Sequence, residues 1–320
     1  MSHGGARRIA AAAMAAMTLA GCIQPMPKTL LRRDELVARY NANARQAPRL
    51  WARAKIHVSL RDDKGWPIPW GSTSPLASPN GLLLLNKDRP GSADFVLVGL
   101  EAGRQLFRLG SGTRDSDEQD VYYLWYQWGQ RGQAYWGLRW LAGAEGVEAL
   151  PLDPLHLLGV LGIVELPGDF TQLPTVAVTM QEQRPYAYVL TYLDRQPLTG
   201  DVMFRRRLYL RWSDTQPARP FRMDLLDNAG RTVMIAYMSD YQPIDVPDLP
   251  AAQKPPVMPT DLDIRWPQRR SRIHIVLSEM TTRPKWEPAA LTYRPPAGLP
   301  QEQVDLPLLL DLLEKQGTQP

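Results

Sequence analysis

The chain has 320 residues, with 37 Lys and Arg against 33 Asp and Glu and a formal net charge of +4. This small cationic excess argues against nucleic acid as a partner, and a single cysteine excludes an internal disulfide. Thirty prolines, ten tryptophans and twelve tyrosines favour strands and turns over long helices.

The N-terminus has the form of an export signal. Arg7 and Arg8 precede an apolar run over residues 9–20, which is too short to be a stable membrane span. The run ends in Leu19-Ala20-Gly21-Cys22, which resembles the lipobox of bacterial lipoproteins. In such proteins the cysteine becomes the first mature residue and carries fatty acyl chains such as palmitate.

The lipobox resemblance implies a signal peptide over residues 1–21 and a lipid-anchored tether over 22–33. Cys22 would then attach the mature chain to membrane lipid. Ile23 is not acidic, which favours the outer membrane, with the protein facing the periplasm. The alternative is an ordinary secretory signal that leaves Cys22 as a free thiol.

The remaining chain, residues 34–320, reads as one domain made mainly of strands. Helical spacing of apolar residues predicts a helix from about Thr29 or Asp34 to Asn43, a second over 153–161 and an amphipathic C-terminal helix over 305–316. Gln242 to Pro259 holds six prolines and is predicted to be an extended linker. A polar hairpin loop is predicted from Gly110.

Between these features lie about ten to twelve segments in which apolar and polar residues alternate. With so few helices, parallel βαβ units are excluded and one large antiparallel sheet is expected. The predicted fold class is mainly β (α+β): a curved antiparallel sheet that forms an open barrel and is covered by a few helices.

A curved sheet covered by helices leaves an apolar cavity on its inner face, and such a cavity suits acyl chains. The alternative is that the same side chains fill a solid core. The predicted lining consists of large apolar residues on alternating positions: Ile56, Val58, Leu60, Trp136, Leu138, Trp140, Phe204, Leu208, Leu210, Trp212, Phe221, Met223, Leu225, Ile273, Ile275 and Leu277.

One arginine is predicted to point into this apolar side. In the run Arg205-Arg206-Arg207, alternation places Arg206 on the side of Phe204 and Leu208. Arg206 is therefore a candidate contact for an acidic lipid head group. The alternative is a strand end from which the side chain reaches water.

The sequence carries no catalytic signature. His57, His156 and His274 are not spaced for a metal, and Gly-x-Ser-x-Gly is absent. We therefore predict a protein that is not an enzyme and has no cofactor, metal or nucleic-acid partner. An envelope hydrolase stays open as an alternative, since two carboxylates, or a serine with His57 or His274, can converge from distant strands.

The order of features resembles the LolA/LolB-like superfamily of bacterial lipoprotein carriers. The resemblance lies in residues 41–60, 152–166, the strand series to Tyr241 and the segment 258–266, and no functional residue is transferred from the family. It implies an open barrel with helical lids and a non-enzymatic envelope lipoprotein that binds or relays lipid acyl chains or acylated lipoproteins. The chain is longer than a typical carrier. The alternative is an assembly lipoprotein that docks a partner complex through its sheet edge and Leu-rich tail.

Overall fold

A computed structural model describes residues 30–59, 80–89, 92–128, 131–142, 144, 154–181, 185–196, 198–211, 218–227, 229–268, 270–283 and 286–317. Three α-helices lie within these ranges: α1 (Arg33–Arg45), α2 (Pro154–Val160) and α3 (Leu306–Gly317). Each of them begins and ends within two residues of a helix that the sequence predicts.

Fourteen strands form one sheet in the order β14-β6-β5-β4-β3-β2-β1-β13-β12-β11-β10-β9-β8-β7. Their bounds are β1 (Arg49–Ser59), β2 (Asn80–Arg89), β3 (Ser92–Glu101), β4 (Arg104–Thr113), β5 (Asp120–Trp128), β6 (Arg131–Leu138), β7 (Thr175–Gln181), β8 (Ala187–Arg195), β9 (Val202–Arg211), β10 (Pro220–Leu226), β11 (Thr232–Pro243), β12 (Val257–Trp266), β13 (Ser271–Thr281) and β14 (Gln301–Gln303). Among these described strands only β14 pairs in parallel, with β6. The predicted fold class, mainly β with an open sheet and few helices, is confirmed.

At the centre of the sheet, the first strand along the chain, β1, pairs with the late strand β13. β1 pairs with β13 from Trp51 opposite Thr281 to Ser59 opposite Arg272. On one side of this pair lie β2 to β6 and on the other β12 to β7. The sheet therefore consists of two antiparallel halves that meet between β1 and β13.

The sheet curls around α2. This helix has seven residues, so it is only about 10 Å long. It nevertheless contacts β4 and β5, while its Gly159 lies against Arg206 of β9 and Met223 of β10. Eight strand steps separate β4 from β9, which would span about 38 Å in a flat sheet. Only a strongly curved sheet brings both strands to so short a helix.

The two sides of the sheet carry different apolar clusters. One side, which we call the helix face, packs against α1 and α2 and includes Ile56, Leu97, Leu190 and Ile264. The other side, which we call the tail face, is covered over β2 to β6 by the segment 286–299. The core therefore has two layers, separated by the sheet.

The tail face depends on close approach of the C-terminal segment to β4. A side chain at Gly112 would place its Cβ 2.1 Å from the carbonyl oxygen of Leu291, so only glycine fits. The prediction of a hairpin loop from Gly110 is wrong at its start, because β4 continues to Thr113. Gly110 and Gly112, whose residue type is typical of turns, lie within β4, and the C-terminal segment crosses the strand at Gly112.

The Pro-rich stretch 242–259 is partly strand. Its first residues end β11 and its last ones begin β12, while residues 244–256 connect the two strands. Within the part of the chain that the structure describes, no helix combines the length and the apolar character that a membrane crossing requires.

Candidate functional site

Helix α1 covers one part of the helix face. Asp34 and Glu35 lie in its first turn and Arg45 in its last, so these charges complement the helix dipole. Its buried side consists of Leu36, Val37, Tyr40, Asn41 and Ala44. Two of these buried side chains are polar, which is unusual for a helix that only covers a core.

Two asparagines of α1 bind the backbone of other elements. Asn41 donates to the Leu166 carbonyl at 2.8 Å and accepts from the Leu166 N–H at 2.8 Å. Asn43 makes the same pair of bonds with Val257 of β12, at 2.9 and 2.8 Å. Each side-chain amide thus bonds to both the N–H and the carbonyl of one residue, as the backbone of a neighbouring strand would. These bonds hold α1 to the segment after α2 and to the sheet.

A lysine adds a third link between the helices and the sheet. Lys87 of β2 donates through Nζ to the carbonyl oxygen of Ala44 in α1 and to that of Ile163 at 3.0 Å. Burial lowers the pKa of Lys87 to about 8, an effect that the charge of Glu165 partly opposes. The carbonyls at the end of α1 therefore have a cationic partner at neutral pH.

Helix α2 covers the centre of the helix face with apolar side chains. Leu157 and Leu161 pack over residues of four strands: Leu83, Phe95, Leu97, Leu262, Ile264, Ile275 and Leu277. A water-sized sphere can move through only about 10 Å³ of the space that these side chains enclose. The residues predicted to line an acyl cavity here are packed against α2 in this conformation.

An open apolar groove lies beside α2. It has a volume of about 530 Å³, which falls within the range of small-molecule sites. Leu155 and Leu158 of α2 form one wall, and Leu138 and Trp140 lie opposite, with Ala93, Gln119, Asp120 and Arg139 completing the lining. Leu158 also belongs to the buried cluster of the helix face, so the groove adjoins the packed interior.

Polar groups meet the apolar surface at the other side of α2. The Arg206 guanidinium lies 4.1 Å from the ring centre of Tyr192, and its Nη1 lies 2.9 Å from the position that a Cβ on Gly159 would occupy. Burial raises the pKa of Tyr40, and the positive charge of Arg206 opposes that rise. Arg206 thus lies between α1, α2 and β8.

A second arginine, Arg219, lies directly before β10. The Arg219 guanidinium is 5.4 Å from the ring centre of Tyr241, whose hydroxyl donates to the carbonyl oxygen of Pro220. Burial raises the pKa of Tyr241 well above its ordinary value. The Nε of Arg219 is buried and has no hydrogen-bond partner.

Most of the predicted lining residues that the structure describes lie on the helix face. These are Ile56, Val58, Leu208, Leu210, Met223, Leu225, Ile273, Ile275 and Leu277. Arg206 projects to the same face, as alternation predicts. Leu60, Trp212 and the predicted lipid anchor Cys22 lie outside the described residues.

Five predicted lining residues lie elsewhere. Trp136 and Leu138 belong to the tail-face cluster, and Trp140, in a short 3-10 helix after β6, is 58% exposed. Phe204 is 51% exposed because a bulge in β9 next to Arg206 reverses the alternation. A bulge in β10 similarly brings Phe221 to Tyr209, with the ring centres 6.3 Å apart.

The histidines form no catalytic cluster with a metal. His57 and His274 stack with ring centres 5.8 Å apart, and His274 Nε2 lies 3.1 Å from Asp261 Oδ1. Both alternate with helix-face residues and so lie on the opposite side of the sheet. Within the described ranges, no three His, Cys, Asp or Glu side chains are placed to hold a metal ion.

Sequence reasoning missed three polar residues of the helix face: Tyr40, Asn41 and Lys87. Helical spacing indicates that Tyr40 lies on the buried side of α1, but it does not reveal the electrostatic interaction of Tyr40 with Arg206. Asn41 and Lys87 bind backbone carbonyls 125 and 76 residues away, and no local pattern marks such contacts.

The curled sheet with helices on its inner side has counterparts among solved structures. A DUF1329 family protein from Desulfovibrio piger has a TM-score of 0.50 and 11% identity, over 80% of this chain and 96% of the other. A protein domain from Vibrio parahaemolyticus, named for outer membrane lipoprotein sorting, has a TM-score of 0.50 and 8% identity, over 81% and 95%.

A LolA superfamily protein from Nitrosomonas europaea also matches, with a TM-score of 0.42 and 10% identity over 79% of this chain and 96% of that one. No protein-family model matches the chain, and no curated protein matches it in sequence. At these identities the likeness concerns the fold.

Proposed function

We propose that this protein is a non-enzymatic lipoprotein of the bacterial envelope that binds or relays lipid acyl chains or acylated lipoproteins. The observation that carries the proposal is the apolar helix face, which is covered at its centre by a helix of seven residues and adjoins an open groove of about 530 Å³. An acyl chain would enter along Leu155 and Leu158 and displace α2 from the strands beneath it.

Physical chemistry supports this mode of binding. The space under α2 is filled by apolar side chains, so a ligand that replaces them must itself be apolar. Each methylene that leaves water contributes about 0.8 kcal/mol, and no covalent step is needed. The fold likeness to a domain named for lipoprotein sorting adds support at the level of architecture.

The experiment is a binding titration with a fluorescent hexadecanoyl probe, together with mass spectrometry of lipids that co-purify with the protein. We expect the full chain to carry lipid and to bind the probe. Leu155→Asp places a charge in the groove and should weaken probe binding about tenfold or more, because a carboxylate resists burial.

The matched control is Leu310→Asp on α3, a leucine that is 55% exposed and lies in a different helix. Its probe affinity should equal that of the unmodified chain. A preparation that carries no lipid and has no affinity for the probe would refute the proposal.

The anchor is tested separately. If Cys22 is acylated, cells fed labelled palmitate should label the chain, and Cys22→Ser should abolish labelling and release the protein from the membrane fraction. Labelling that persists in the variant would contradict the anchor but not the apolar site.

The assembly alternative receives less support from the sheet. One edge of the sheet is already occupied, because β6 pairs with β14 through Gln301 to Gln303, and the other edge is β7. The tail helix does expose Leu306 and Leu310, at 45% and 55%. Deletion of residues 305–320 should abolish a pull-down in the assembly model and leave probe binding intact in the carrier model.

A further inference from the structure

We propose that Arg206 and Arg219, together with the hydroxyl of Tyr40, bind the phosphate of a lipid head group at the border of the helix face. This inference rests on the proposed function, because it assigns a chemical class to the ligand of the same apolar site. It makes the protein selective for acidic amphiphiles and not only for acyl chains.

The first argument is that no described residue forms an ion pair with Arg206. The structure gives Arg206 neither a hydrogen bond nor an ion pair with any described residue. Its guanidinium instead makes a cation–π contact with the ring of Tyr192. A guanidinium has five N–H donors in a fork that matches the oxygens of a phosphate. An aromatic face stabilises the cation without using any of these donors.

The second argument is the position of Gly159 in α2. A Cβ at this residue would lie 2.9 Å from Arg206 Nη1 and 3.4 Å from the sulfur of Met223. Any larger residue would therefore push the guanidinium away from the helix. Glycine at this helix position keeps Arg206 against α2, between polar and apolar neighbours.

The third argument is a second cation in the same region. The Arg219 side chain has no ion pair with a described residue, and its buried Nε has no hydrogen-bond partner. Gly162 lies near the backbone that carries Arg219, since a Cβ there would lie 3.4 Å from the ring of Pro220 and 3.7 Å from the hydroxyl of Tyr241, on whose ring Arg219 lies. Only three positions separate Gly162 from Gly159, the neighbour of Arg206.

The fourth argument is the hydroxyl of Tyr40. Tyr40 is 3% exposed and makes no hydrogen bond with a described residue. Because burial raises its pKa, the group stays protonated and can donate. The buried Nε of Arg219 is unpaired among the described residues, and an unpaired buried donor is costly, so an anion that satisfies it gains affinity.

Apolar side chains continue directly from these donors. Leu208 follows Arg206 on the same side of β9, and Met223 lies beneath the same glycine of α2. A ligand that satisfies both surfaces has a phosphate at one end and acyl chains at the other. Free phosphate satisfies only the donors, and a neutral diacylglycerol satisfies only the apolar residues.

The experiment compares three soluble probes by calorimetric titration of the full chain: dihexanoyl phosphatidic acid, dihexanoylglycerol and inorganic phosphate. We expect phosphatidic acid to bind about ten- to a hundredfold more tightly than dihexanoylglycerol, as charge-assisted hydrogen bonds would require. Arg206→Gln should reduce this preference to within about twofold and leave the affinity for dihexanoylglycerol unchanged.

Two further variants separate the charge from the fold. Arg206→Lys keeps a cation and should retain part of the preference, which a merely structural arginine would not explain. Arg207→Gln, on the adjacent residue of β9, which alternation directs to the opposite side of the sheet, should bind all three probes as the unmodified chain does.

Equal affinity for phosphatidic acid and dihexanoylglycerol would overturn this inference while leaving the proposed function intact. Inorganic phosphate that binds as tightly as phosphatidic acid would overturn the assignment to a lipid head group. Failure of both lipids to bind would instead refute the proposed function itself.

Discussion

The helix face and the tail face are covered in different ways. On the tail face, Tyr293 stacks on Tyr123 with ring centres 4.8 Å apart, and Arg108 binds the carbonyls of Ala290 and Thr292, the latter at 3.3 Å. Asp305, which is fully buried, accepts a bond of 2.6 Å from the Leu138 N–H. The cover of the tail face is therefore fixed by aromatic and charged contacts along its length.

In the part of the chain that the structure describes, the polar links of the helix face include those made by α1 and by the segment after α2. Asn41, Asn43 and Lys87 bind backbone groups there, whereas Leu157 and Leu161 of the α2 region pack against apolar side chains of the sheet. Apolar contacts are non-directional and can be exchanged for those of a ligand, which directional hydrogen bonds cannot. The difference indicates which side of the sheet is able to admit a ligand.

The largest expected effect is on the tail face. Tyr293 is 2% exposed, and Tyr293→Ala should lower the free energy of unfolding by about 3–5 kcal/mol, because a large buried ring is lost. Denaturant titration measures this loss. Affinity for the hexadecanoyl probe should stay unchanged in the folded variant, since the two faces are separate.

The matched control for that substitution is Tyr237→Ala, at a strand position that is 39% exposed. It should change stability by about 0.5 kcal/mol or less. Loss of probe binding in folded Tyr293→Ala would contradict the independence of the two faces.

The next effect concerns the attachment of α1. Asn41→Ala removes both hydrogen bonds to Leu166 and leaves two buried backbone groups unpaired, which should cost about 2–3 kcal/mol. Asn43→Ala should cost less, because Val257 is only half-buried and water can replace the amide. Equal losses for the two variants, measured by denaturant titration, would show that burial does not decide the strength of these links.

A pH dependence tests the lysine of the helix face. The pKa of Lys87 is about 8 in the folded chain and 10.5 ordinarily, so above pH 8 the unfolded chain binds more protons than the folded one. Stability should therefore rise from pH 8 to 9.5, by at most about 2 kcal/mol. Above pH 10 the buried tyrosines, whose pKa values are raised, reverse the trend.

Denaturation midpoints between pH 7.5 and 9.5 measure this rise. Lys87→Met should remove it, because the variant has no group that titrates at this position. A rise that persists in the variant would assign the effect to another residue.

The smallest effect lies at His57, which is on the side of β1 opposite to the helix face. Burial, with the charges of His274, Lys55 and Arg272, lowers the pKa of His57. The unfolded chain therefore takes up this proton first as the pH falls below about 6.5, and stability decreases. His57→Gln should make the decrease between pH 7 and 5.5 shallower, which thermal denaturation at several pH values can detect.

Alternation predicted most of the sheet, because each strand has one side on the helix face. Alternation placed Ile273, Ile275 and Leu277 on one side of the sheet. Apolar spacing predicted α1 and α3, and apolar spacing together with Pro154 at the start predicted α2. The strand count was too low by at least two, since β14 has only three residues and shows no period.

Several predicted lining residues lie outside the helix-face cluster, for physical reasons that one sequence does not reveal. Bulges beside Phe204 and Phe221 reverse the side on which these rings lie, and a bulge depends on the pairing of two strands. Trp136 follows strict alternation, but the face it shares is covered by residues more than 150 positions later. Both sides of such a strand are apolar or covered, so the side that belongs to the helix face can be identified only when the segment covering the tail face is known.

The pairing of β1 with β13 has a consequence for how the chain folds. Trp51 lies opposite Thr281, so the two halves of the sheet can join only after more than 200 residues of chain have been brought together. Closing so long a loop is slow, because its entropic cost precedes the contacts that offset it. A chain still emerging from a ribosome lacks β13 until Thr281 has been made, and until then one edge of β1 remains unpaired.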